Sequence, residues 1–101
     1  MLTFELATVE EISAELGNRL RAQRLAQNLT QAELAGRAGV SRGTVRNLEG
    51  KGQASVESLL RIVGALGLAG SLSDLFVLRP TSIRAMEDAG TPRQRASRTG
   101  P

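Results

Sequence analysis

The stretch from Gln31 to Gly50 restricts this chain to a narrow set of folds. It reads as two short helices with almost nothing between them. Thr30 followed by Glu33 is a capping-box pattern and opens a helix at Gln31. Leu34 and Ala38 fall on its inner face. Gly39 suits the left-handed residue that ends it. Val40 plugs the turn and Ser41 caps the next helix, with Val45 and Leu48 inward and Gly50 as its stop. Ala35 is small where the second of these helices crosses close to the first. A small residue, a glycine and four apolar positions in this register have the spacing of a helix-turn-helix.

The flanking segments extend the helical pattern. Thr8 with Glu11 is another capping box, opening a helix that runs to about Gln27, and Asn28 suits its end. Ile12, Leu16 and Leu20 share one face of that helix. Lys51 to Ala54 reads as a loop, after which Ser55 caps a helix whose apolar face is Val56, Leu59, Leu60, Val63 and Leu66. Gly67 and Gly70 interrupt, and Ser71 or Ser73 caps a short fifth helix containing Leu72, Leu75 and Phe76. Before all of these, Leu2, Phe4 and Leu6 alternate with polar residues and predict a short strand. A lone strand needs a partner, which a second copy of the chain would supply. From Arg79-Pro80 onward, small and polar residues predict a tail disordered when alone, with one helical turn at residues 82–88. The expected architecture is all-α: an N-terminal arm at 1–7, a compact five-helix domain at 8–78 and a basic flexible tail at 79–101.

Composition removes most other function classes. The chain has no cysteine and no histidine, which excludes thiolate metal sites, the usual metal ligands and the usual general base. Ser13, Ser41, Ser55 and Ser58 therefore lack a partner for nucleophilic catalysis, and no Ser-x-x-Lys pattern is present. The expectation is a protein that is not an enzyme and takes no cofactor or metal. Phe4 and Phe76 are the only aromatic residues, too few for a base-stacking platform. No apolar run approaches the ~20 residues of a membrane span, and the start lacks the basic region of a signal peptide. These features predict a cytoplasmic protein with no membrane association.

Charge is segregated along the chain. Residues 1–18 carry four glutamates and no basic residue. Residues 19–61 carry eight arginines and lysines against three glutamates, and residues 79–101 carry five arginines against two acids. A basic centre and a basic tail fit a polyanionic partner.

Taken together, Leu16-Gly-x-Arg19-Leu20-Arg-x-x-Arg24, Leu29-Thr30-Gln31-x-x-Leu34-Ala35, Gly39-Val40-Ser41 and Leu48-Glu49-x-Lys51 resemble the Cro/phage-repressor (xenobiotic-response-element) helix-turn-helix family over residues 12–78. The resemblance implies a five-helix domain, usually dimeric, that binds double-stranded operator DNA with its third helix in the major groove. It implies a phosphate contact from Gln31 and a structural salt bridge between Arg24 and Glu49. Arg42, Thr44 and Asn47, on the outer face of the third helix, are then the candidates for base edges: Arg42 for guanine, Asn47 for adenine and Thr44 for a thymine methyl or, alternatively, a phosphate. Ser41, Arg46 and Lys51 flank that face as phosphate candidates. Gly43 departs from the pattern, because many relatives carry a long reading side chain there, and Gly36 loosens the second helix.

The tail motifs Arg79-Pro-Thr-Ser-Ile and Arg93-Gln-Arg-Ala-Ser-Arg98, with the N-terminal strand, are also similar to antitoxins paired with high-persistence kinase toxins. That resemblance implies a repressor of its own operon that binds a kinase-type toxin. For a homodimer, Leu2, Phe4, Leu6, Leu68, Leu72 and Phe76 are the candidate interface residues.

Overall fold

The computed structural model describes residues 2–79. The described chain is all-helical. Its four helices are α1 (Val9–Ala26), α2 (Gln31–Ala38), α3 (Arg42–Lys51) and α4 (Val56–Ala65), with 3₁₀ turns at Phe4–Leu6 and Ala69–Leu72. Every α-helix starts at a hydroxyl. Thr8 and Thr30 form complete capping boxes with Glu11 and Glu33, while Ser41 and Ser55 accept the amides of Thr44 and Ser58 at 3.0 Å each. Each cap satisfies a backbone donor that the first helical turn leaves free.

The core lies where α2, α3 and α4 meet. Leu34, Val45 and Ile62 are its fully buried centre, surrounded by Leu29, Ala35, Ala38, Leu48 and Leu66. Leu20, Val40, Leu59, Ala65 and Leu68 pack against this cluster from the rim. α1 packs chiefly on α3, and α2 packs on both α3 and α4. Among the described residues, no helix is long and apolar enough to cross a membrane.

Four expectations are corrected. The N-terminal strand is instead the 3₁₀ turn Phe4–Leu6, closed by bonds from the Leu6 amide to Thr3 O (3.1 Å) and the Ala7 amide to Phe4 O (3.2 Å). With no strand beside it in the described chain, the segment satisfies its backbone locally. The Phe4 ring lies under the Arg19 guanidinium of α1, 5.1 Å from ring centroid to Cζ. The fifth helix is likewise the 3₁₀ turn Ala69–Leu72. Its first residue has no side-chain cap, and the Ser73 hydroxyl donates to Gly70 O at 2.9 Å instead of capping a helix beyond it.

α3 continues through Gly50 to Lys51 and closes at Gly52, which has a φ of 68°. Lys51 is thus the last helical residue rather than part of a loop. The inner face of α4 is Leu59, Ile62, Val63 and Leu66, spaced i, i+3, i+4 and i+7, and Ile62 is more buried than any of the other three. Val56 and Leu60 lie off that stripe and are 72% and 48% exposed. In α1, Leu16 is exposed and Ile12 and Leu20 are half-buried. The tail from Pro80 to Pro101, with its expected turn at 82–88, lies outside the described residues.

Two glycines set how closely α1 approaches α3. Gly17 is buried, and a methyl group on it would collide with the backbone carbonyl of Leu48. A methyl group on Gly52 would collide with the backbone carbonyl of Ser13. Alanine would improve intrinsic helix propensity at position 17 by about 1 kcal/mol, but overpacking costs about 1–3 kcal/mol, and a backbone carbonyl has no rotamer through which to yield. Gly17→Ala is therefore expected to lower the thermal midpoint, by roughly 4–8 °C per kcal/mol lost. Gly36→Ala, at an exposed position of α2 with nothing within 4 Å of the added methyl, is expected to raise it. Calorimetry of the two variants checks both signs.

Candidate nucleic-acid interface

α2 and α3 are joined by three residues. Gly39 takes a left-handed conformation with φ 71° and ψ 35°, and the Val40 amide donates to Ala35 O at 3.1 Å, which closes the turn. Ala35 is buried at the crossing, and Val40 is half-buried against the core. This arrangement holds α3 with its outer face in solvent.

The orientation of α3 is fixed by a buried ion pair. Arg24 and Glu49 are 6% and 4% exposed. The Arg24 guanidinium donates through Nε to Glu49 Oε2 at 2.6 Å and through Nη2 to Oε1 at 2.9 Å. Its Nη1 donates to Leu29 O at 2.7 Å, in the connection between α1 and α2. Gln31 Nε2 donates to Glu49 Oε1 at 3.1 Å. Burial pushes the Glu49 carboxyl up, but the donors Arg24 and Gln31 outweigh it and hold the group below its ordinary range. The same hydrogen bond raises the Arg24 pKa against the effect of its own burial. Both groups are charged throughout the neutral range, and their role is structural.

Gln31, at the first position of α2, is half-buried, and one of its amide hydrogens is committed to Glu49. The bond ties the start of α2 to the end of α3. Sequence pattern did not suggest it, because residues 31 and 49 show no helical spacing to each other. Gly17 was missed in the same way. Its only signal was a glycine between the apolar positions Leu16 and Leu20.

On the outer face, Arg42, Arg46 and Asn47 are exposed, and Thr44 is half-buried. The hydroxyls of Ser41 and Thr44 share a hydrogen bond of 2.8 Å, and Ser41 Oγ also accepts the Thr44 amide. Both hydroxyls are engaged in the cap. Lys51 is exposed at the far end of α3, where it lines a shallow groove with Val9, Glu10 and Ser13 of α1.

Charge pairing separates this face from the rest of the surface. Arg19 pairs with Glu15 and Arg61 with Glu57, each at 2.8 Å, and Arg79 pairs with Asp74 at 2.9 Å. Among the described residues, Arg21, Arg37, Arg42, Arg46 and Lys51 have no carboxylate partner. All but Arg21 lie on α2 and α3.

The expected dimer residues are scattered in exposure. Leu6 and Phe76 are 87% and 98% exposed. Leu2, Phe4, Leu68 and Leu72 are half-buried, with Leu68 packed on the chain's own core. Leu75, Val77 and Leu78 extend the exposed apolar run around Phe76, whose φ of 57° is left-handed.

Two crossed short helices, a left-handed glycine between them and an unneutralised basic outer face define a helix-turn-helix DNA-binding domain. The helix-turn-helix family model matches residues 20–71, just over half of the chain, and the protein belongs to this family in its Cro/phage-repressor type. It is a DNA-binding protein of the kind that regulates transcription. No curated protein matches the chain.

Removing one partner of a buried pair strands the other as an uncompensated charge. Arg24→Ala and Glu49→Ala are each expected to cost about 3–5 kcal/mol. The double variant should lose clearly less than the sum, which denaturant titration of the cycle measures.

The acid limb of stability follows from the same groups. The folded-state pKa values of Glu49 and Glu33 are depressed. For Glu33 the cause is its bond from the Thr30 amide. Their contribution is complete above the ordinary glutamate value of about 4.3 and is lost as pH falls through the lower folded values. Stability should therefore be flat from neutral pH to about 5 and then fall. Glu49→Gln should flatten that fall, as read by unfolding midpoints against pH.

Proposed function

We propose that the protein is a homodimeric transcriptional repressor that binds a pseudo-palindromic operator, each subunit laying α3 in the major groove. The observation that carries this reading is the face of α3: exposed Arg42, Arg46 and Asn47, no acidic partner for its cations among the described residues, and a buried ion pair that sets its orientation. In this reading Asn47 pairs with adenine through its amide, Arg42 reads guanine and Thr44 offers its methyl group to thymine. Gln31, Ser41 and Lys51 serve phosphates beside the reading face, with the Gln31 amide held by Glu49.

Dimerisation follows from reach. An α3 of ten residues is about 15 Å long and touches few base pairs. Two copies about 34 Å apart would read successive turns of one DNA face. The exposed run Leu75–Leu78 with Phe76 at its centre is the apolar surface a second copy would cover. The protein then acts on the chromosome in the cytoplasm and performs no catalysis.

A second reading draws on the same exposed run. In it, the chain is an antitoxin that represses its operon and uses the apolar segment, with the basic tail, to bind a kinase-type toxin. Co-purification with such a kinase would favour this reading, while a 1:1 self-complex on DNA favours the first.

Asn47→Ala is expected to cost about 1–3 kcal/mol on the selected operator and little on random DNA. Lys51→Ala should weaken binding similarly on all sequences and lower the salt slope by about one unit. Fluorescence anisotropy at several salt concentrations reads both. Light scattering should return a dimer at tens of micromolar, and a monomer there, with and without DNA, overturns the dimeric reading.

A further inference from the structure

We infer that Arg46 reads a base, taking over the reading position that Gly43 leaves empty, and that its target is a guanine. This assignment rests on the DNA-binding reading above and departs from the phosphate role that its place beside the reading face suggests.

Positions 43 and 46 lie one turn apart on the same face of α3. Side chains on a helix lean toward its N-terminus, so a long residue covers the turn before its own Cα. Arg46 does this. Its Nη2 stands 3.6 Å from the point a Cβ on Gly43 would occupy. The guanidinium therefore lies in van der Waals contact with the place of the absent side chain and carries its donors to the first turn of α3. The side chains of its N-terminal residues are the part of a recognition helix that meets base edges.

The electrostatics point the same way. On α1 and α4, Arg19 and Arg61 each pair with a glutamate four residues earlier, whereas Arg21 has glycine at that spacing and no carboxylate partner among the described residues. Four residues before Arg46 stands Arg42, another cation. Two like charges at this spacing repel, and the positive end of the helix dipole adds to the strain. Of the nearby oxygens, Ser41 Oγ lies 3.8 Å from the same point and is already engaged with the Thr44 amide and hydroxyl. Among the described residues the guanidinium fork thus meets no protein acceptor, and it matches the paired acceptors O6 and N7 of guanine, which it engages bidentately. Lysine cannot reproduce that geometry although it keeps the charge.

The test begins with selection of an operator from a random duplex pool by the full chain. Binding of wild type, Arg46→Lys and Arg46→Ala is then measured on that operator, on operators with single guanines replaced by 7-deazaguanine, and on random DNA. Arg46 is exposed, and thermal unfolding verifies that the variants fold as wild type. The expected result is that both variants lose about 10- to 100-fold on the operator. One 7-deazaguanine position should weaken wild type and leave both variants unchanged. Arg46→Lys should keep its affinity for random DNA within about twofold. Gly43→Gln, which places a side chain where the guanidinium lies, should change the base preferred at that same position.

If Arg46→Lys binds the operator as wild type does, or Arg46→Ala loses equally on every sequence, the arginine serves a phosphate and this inference is overturned while the function stands. Unchanged base preference in Gly43→Gln also overturns it. A wild-type chain that selects no sequence overturns the function and the inference together.

Discussion

The Arg24–Glu49 pair is the interaction on which the remaining geometry depends. Taking two charges out of water costs several kcal/mol per ion, and their attraction offsets this only when the hydrogen bonding is nearly complete. Here it is. Both carboxylate oxygens of Glu49 are occupied, and Arg24 spends three of its nitrogens on Glu49 and on the Leu29 carbonyl. Gln31 supplies the extra donor. Four segments thus converge on one carboxylate and one guanidinium: α1, the α1–α2 connection, the first residue of α2 and the end of α3. An apolar contact of similar area would hold these segments together but would tolerate sliding. A bidentate pair with fixed distances tolerates little, and so it sets the register of α3 against α1.

The pair closes because α1 has a gap two turns earlier. Gly17 and Arg24 are seven residues apart and share a face of α1. With no side chain at Gly17, the backbone of Leu48 and Glu49 comes directly against the helix. The Glu49 side chain then spans only the distance to Arg24. Gly52 permits the same intimacy one turn further along α3, where the chain turns left-handed against the Ser13 carbonyl. The core of α2, α3 and α4 supplies most of the apolar burial, while α1 adds the orientation.

This division leaves the outer face of α3 free of structural duty. Its inner residues, Val45, Leu48 and Glu49, are buried, and the side chains of its outer ones, Arg42, Arg46 and Asn47, make no hydrogen bond among the described residues. Elsewhere among the described residues, Arg19, Arg61 and Arg79 are paired with Glu15, Glu57 and Asp74, and apart from Arg21 the unpaired cations lie on α2 and α3. The exposed apolar run at Leu75–Leu78 lies in the chain after the domain's last described 3₁₀ turn. The basic face and the exposed apolar run therefore reside on different segments.

Much of this protein was legible in its sequence, and the legible part is local. The starts of all four helices follow from Thr8, Thr30, Ser41 and Ser55, because a cap is a contract between residues three apart. The turn between α2 and α3 follows from Gly39, since a left-handed residue without a side chain closes a helix at little cost. The family motif rests on the same short-range spacings. Longer-range matters were decided by tertiary structure. Leu2, Phe4 and Leu6 alternate as a strand would, but a strand exists only if another pairs with it, and the described chain has none. α3 passes Gly50 and ends at Gly52, whose left-handed backbone lies directly against the Ser13 carbonyl of α1. The buried stripe of α4 was rotated toward Ile62 by the direction from which α2 approaches, which helical periodicity alone does not specify. Gln31 found Glu49 eighteen residues away, and Arg46 found the space above Gly43 only once α3 had its inner face committed to the core.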